Sequence, residues 1–93
     1  MQRVLVQIQG KVQGVGYRAW LRTQATQRGI SGWVKNCEDG NVQSEMNGSQ
    51  VSIDQLLSLC NDGPPRAEVT SVRIISREPI ENNQNTTFVI VNT

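Results

Sequence analysis

Histidine is absent from this 93-residue chain. No side chain therefore titrates near neutral pH in its ordinary state, which removes the imidazole general base and the histidine-activated serine or cysteine. With no clustered ligands, a metal site has nothing to build on. Cysteine is nearly as scarce: Cys37 and Cys60 are too few for a disulfide framework and read as two reduced thiols. Cys60 falls on the buried face of a helix, and Cys37 near a hairpin tip. A nucleophilic Cys37 would need a source of lowered pKa, and no histidine is there to provide one. The aromatics are Tyr17, Trp20, Trp33 and Phe88, which read as core rather than as a base-stacking platform. A formal net charge of +1 gives no long-range attraction to nucleic acid or anionic membranes. No apolar run approaches a membrane span, and no basic-then-apolar leader opens the chain. A soluble, cytoplasmic monomer is the expectation, with neither nucleic acid nor membrane as partner.

The length suits one domain covering residues 1–93, with a single modest core. Val4, Val6 and Ile8 alternate with Leu5, Gln7 and Gln9, predicting a strand. Tyr17, Trp20, Leu21 and Ala25 recur at helical spacing, and Gly29 is the stop. Ser31 to Cys37 and Asn41 to Met46 form two strands joined by the Glu38-Asp39-Gly40 turn, a hairpin. Ile53, Leu56, Leu57 and Cys60 make the apolar stripe of a second helix, with Ser49 or Ser52 as its N-cap and Gly63-Pro64-Pro65 as its end. Ala67 to Ile75 is β-branched and strand-like. Residues 77–85 are polar and asparagine-rich and read as an exposed loop, and Thr87 to Val91 is a last short strand. The order is an α+β, ferredoxin-like βαββαβ sandwich, an antiparallel sheet with two helices on one face plus a short C-terminal strand.

Chemistry concentrates where the first strand meets the first helix, at Gly10-Lys11-Val12-Gln13-Gly14-Val15-Gly16-Tyr17-Arg18. Glycines let backbone N–H groups turn toward an anion, and the positive end of the helix dipole lies at the same point. Arg18 opposes that dipole, a misfit that an anionic ligand relieves, and its planar fork matches phosphate or carboxylate. The spacing is neither the P-loop pattern nor the dinucleotide fingerprint, and a tight crossover turn explains the glycines equally well. Asn36 ends the second strand; asparagine is common before turns, yet its amide also donates and accepts, so it can orient a water. Glu38 and Asp39 read as solvated turn acids.

Taken together, that loop and Gly32-Trp33-Val34-Lys35-Asn36-Cys37-Glu38-Asp39-Gly40-Asn41-Val42 closely resemble the two signatures of the acylphosphatase family. Gly48 and Gly63-Pro64-Pro65-Arg66 also fall where family members carry them. The resemblance spans essentially the whole chain. It implies hydrolysis of small acyl phosphates to a carboxylate and inorganic phosphate, without cofactor or metal, on a ferredoxin-like fold, with inorganic phosphate or sulfate as a simple ligand. By position it implies Arg18 as the phosphoryl-binding catalytic arginine and Asn36 as the catalytic water-orienting asparagine. The backbone N–H groups of Gln13, Gly14, Val15, Gly16, Tyr17 and Arg18 would form the phosphate cradle. Tyr17 stands where phenylalanine is commoner, and Cys37 occupies a variable position with no catalytic claim. Two rivals share the fold: a non-catalytic anion-binding domain, and an RNA-binding module. The latter would carry aromatics on its first and third strands, and Val4 to Gln9 and Asn41 to Met46 have none.

Overall fold

The structure is a computed structural model and describes residues 1–82 and 85–92. The elements run β1 (Gln2–Lys11), α1 (Tyr17–Gln27), β2 (Ser31–Asn36), β3 (Val42–Gly48), α2 (Gln50–Cys60), β4 (Glu68–Pro79) and β5 (Phe88–Val91). They form one five-stranded sheet in the order β4-β1-β3-β2-β5. β1 lies antiparallel between β3 and β4, and β2 and β3 make the expected hairpin.

Alternation along β1 sends Val4, Val6 and Ile8 to one face, where each is fully buried. The register sets Val4 opposite Met46 and Ile8 opposite Val42, so the apolar residues of neighbouring strands share that face. α1 covers β2 and β5 with Leu21 and Ala25, while α2 covers β1, β3 and β4 with Ile53, Leu56 and Cys60. The two helices touch each other over this single core.

The ferredoxin-like order holds, and two details differ from the sequence-based expectation, the direction of β5 and the extent of β4. β5 pairs parallel with β2, so the sheet is mixed rather than wholly antiparallel. β4 and β5 occupy opposite edges, so the chain beyond β4 crosses from one edge to the other before pairing. β4 also continues through Arg77, Glu78 and Pro79, which pair with Val4, Arg3 and Gln2. These residues lie in the segment read as loop 77–85. Main-chain pairing with β1 needs no apolar side chain on an exposed edge, so polarity misled the reading there. Arg77 is further held by Gln2 Oε1 and Asp54 Oδ1, each at 2.7 Å. Asn83 and Gln84 of that expected loop lie outside the described residues.

Between the two N-cap candidates for α2, Ser49 takes the role: its Oγ accepts from the Ser52 N–H at 3.2 Å. Tyr17, fully buried at the start of α1, donates its hydroxyl to the Cys60 carbonyl at 2.8 Å and so ties the helices together. Burial raises the Tyr17 phenol well above its ordinary value, with Cys60 adding to the shift, and burial pushes the Cys60 thiol up to about 12 from 9.0. Both groups are therefore neutral in the fold. Their contribution to stability is complete below about pH 9 and is lost as pH rises, because the unfolded chain gives up these protons first. Tyr17→Phe removes one buried hydrogen bond, worth about 1 kcal/mol, which lowers Tm at pH 7 by about 4–8 °C in a domain of this size. The gap to wild type should narrow as thermal melts are taken up toward pH 12, because the phenylalanine variant has no phenol left to ionise.

Candidate active site

β1 ends and α1 begins within five residues, and the chain turns between them through Gly14 at φ 72° and Gly16 at φ 81°. Both angles lie in the left-handed region that other residues adopt only with strain. A Cβ built at either glycine would meet nothing within 4 Å, so the loop backbone borders open space. Val15 is buried and Tyr17 fully so; their side chains pin the loop to the core while the glycines face outward.

The two helix starts differ in a way that matters. α2 is capped by the Ser49 side chain, whereas α1 has Gly16 at its N-cap and no side-chain cap bond; neither has an acidic residue in its first turn. The leading N–H groups of a helix have no intrahelical acceptor, so α1 presents bare donors and its positive dipole end to the adjoining cavity. That cavity measures about 370 Å³ and is bordered by Gly14, Gly16, Tyr17 and Arg18, with Asn36 on a further wall. Its size suits a small ligand.

Arg18 stands one residue into α1, half-buried, and donates from Nη1 to Asn92 Oδ1 at 2.9 Å. This bond fixes one end of the guanidinium fork and leaves its other donors without a protein partner among the described residues. Asn36, the last residue of β2, borders the same cavity. Its Oδ1 is buried and has no hydrogen-bond partner among the described residues. An orphaned buried amide oxygen is uncommon and calls for a ligand or water to complete it.

Gln13 is placed differently from the glycines. Its Nε2 donates to the carbonyls of Cys37 and Asn41, both at 2.8 Å. Those carbonyls belong to the hairpin immediately after Asn36, so the Gln13 amide fastens the glycine loop to the strand end that holds Asn36. Neither Gln13 nor Val15 borders the cavity; Gly14, Gly16, Tyr17, Arg18 and Asn36 do. Gln13→Ala removes both bonds, worth about 1 kcal/mol each. It should lower Tm and reduce kcat by up to about 100-fold through loosened alignment of loop and hairpin. Melting curves and steady-state kinetics together check this.

Five bordering residues lie outside the site predicted from sequence: Val12, Ala19, Arg22, Ile90 and Asn92. Arg22 was visible in principle, four positions after Arg18 and so on the same helical face. Asn92 had no such signal, since only the parallel pairing of β5 with β2 carries it to Arg18. Cys37, Glu38 and Asp39 line a second depression together with Lys35 and Asn36. Asp39 accepts from the Asn41 N–H and Nδ2 at 3.0 Å each, a turn-stabilising role.

The acylphosphatase family model matches residues 4–90. A curated acylphosphatase of Bradyrhizobium diazoefficiens is 46% identical over 74 residues, covering 77% of this chain and 75% of that protein. One from Methylococcus capsulatus is 41% identical over 91 residues, 98% of this chain and 97% of its own length. Among solved structures, the acylphosphatase from Bacillus subtilis superposes with a TM-score of 0.91 at 28% identity, covering 99% of this chain and 100% of its own. Matching almost end to end in both sequence and fold, the chain belongs to the acylphosphatase family of acyl phosphate-hydrolysing enzymes.

Proposed function

We propose that the cavity between the glycine loop and Asn36 binds the phosphoryl group of small acyl phosphates and directs water onto it. The phosphoryl oxygens accept from the backbone N–H groups of the Gly14–Arg18 loop and from the Arg18 guanidinium. Water held by the Asn36 amide attacks phosphorus. The bond from phosphorus to the acyl oxygen breaks, and its electron pair leaves on the carboxylate. The water proton passes to a phosphate oxygen, so the products are a carboxylate and inorganic phosphate. A carboxylate leaves without help from a general acid, and a loose phosphoryl-transfer transition state needs chiefly position and positive charge.

One observation carries this reading: an uncapped helix start with its arginine and an orphaned buried amide oxygen border the same small cavity. The donors suit an anion, and the amide suits a water beside it. Among the described residues no helix is long and apolar enough to cross a membrane. A monomeric, cytoplasmic enzyme acting without a cofactor completes the proposal. Benzoyl phosphate hydrolysis tests it, with release of benzoate and phosphate and competitive inhibition by inorganic phosphate as the expected result. Phosphate binding without turnover would instead make the chain a non-catalytic anion-binding domain.

A further inference from the structure

Arg22 borders the same cavity as Arg18, one helical turn farther along α1. The phosphoryl group already has Arg18 and the loop amides in the proposal above, so a second cation there is unexplained by phosphoryl binding. Among the described residues no aspartate or glutamate borders the cavity, and none occurs in Tyr17–Gln27. Like charges four residues apart repel along a helix face, and nothing on α1 offsets them. Arg3, Arg28 and Arg77 each engage a side chain or carbonyl, and Arg66 and Arg73, which engage no described residue, lie away from the cavity. Arg22 makes no hydrogen bond or ion pair with any described residue, and it is exposed. Ala19, Ile90 and Val12 give the same cavity apolar surface. That leaves an apolar stretch with a free cation beyond it.

We infer that Arg22 selects acyl phosphates whose acyl group carries its own anionic terminus, a carboxylate above all. The inference rests on the phosphoryl-binding role proposed for Arg18 and the loop. With the phosphoryl group at the helix start, the acyl chain lies along Ala19 and Ile90, and its terminal anion meets the Arg22 fork. A neutral acyl group leaves that fork in water.

The test compares kcat/KM for 4-carboxybenzoyl phosphate and benzoyl phosphate, a rigid pair differing by one carboxylate. Wild type should prefer the carboxylated substrate about fivefold, the scale of an exposed ion pair, and added salt should shrink the preference. Arg22→Gln should bring the ratio to about one, Arg22→Lys should keep part of it, and Arg22→Glu should invert it. Arg73→Gln, on the exposed part of β4, should leave the ratio as in wild type. The same ratio in wild type and Arg22→Gln would overturn the inference, as would an equal loss in Arg73→Gln, which would mark a general charge effect. A 3-carboxy isomer preferred over the 4-carboxy one, with the same Arg22 dependence, supports it with a different reach. Wild type that fails to hydrolyse benzoyl phosphate would overturn the underlying functional reading. Normal benzoyl phosphate turnover with no carboxylate preference would overturn this inference alone.

Discussion

Arg18→Ala is expected to lower kcat/KM for benzoyl phosphate by about 10³-fold or more, the scale on which a guanidinium stabilises phosphoryl transfer. Inorganic phosphate should weaken as an inhibitor in parallel, because in the proposed site the same fork holds the ground-state anion. Stability should change little. Arg18 opposes the dipole of α1, and its one side-chain bond among the described residues, to Asn92, is exposed. A variant that loses activity while keeping its melting temperature places the loss in the chemistry. Arg18→Lys should recover only part of the rate, since an ammonium offers a point charge in place of the planar fork. Full activity in Arg18→Ala would remove the arginine from the mechanism.

Asn36→Ala is expected to behave differently. It should lower kcat by about 10²–10³-fold, comparable to removing one preorganised polar group at a reacting centre. The inhibition constant of phosphate should stay near that of wild type. Asn36 and Arg18 border one cavity from different elements, β2 and α1, so water placement and phosphoryl binding should separate in the kinetics. Because the Asn36 Oδ1 is buried without a partner, alanine should leave the fold as stable as wild type or slightly more so. A large loss of phosphate affinity would assign Asn36 to anion binding and contradict its proposed part. Stability given up for an open polar position is common at functional sites.

Local chemistry marked much of this in advance. The alternation of Val4, Val6 and Ile8, the Glu38-Asp39-Gly40 turn and a serine cap on α2 each follow from short-range rules, and each stands in the structure, with Ser49 rather than Ser52 as the cap. Arg18 stood out because a cation at a helix start is locally unfavourable. Non-local pairing was the part that short-range rules do not encode. The polar end of β4 is a strand only because β1 lies beside it, and β5 runs parallel to β2 after crossing the sheet. Asn92 reaches Arg18 by that same route. Asn36 was ambiguous in the sequence, where a turn asparagine and a water-holding one look alike. Its buried, unpartnered oxygen is visible only once β2, the glycine loop and the Gln13 amide are assembled.

A crystal structure with inorganic phosphate bound, solved from protein that hydrolyses benzoyl phosphate, tests the central claim most directly. The account predicts the anion at the start of α1, within hydrogen-bond distance of the Gly14–Arg18 amides and the Arg18 guanidinium, with an ordered water on Asn36. An anion bound elsewhere, with the loop and Arg18 empty, would contradict it.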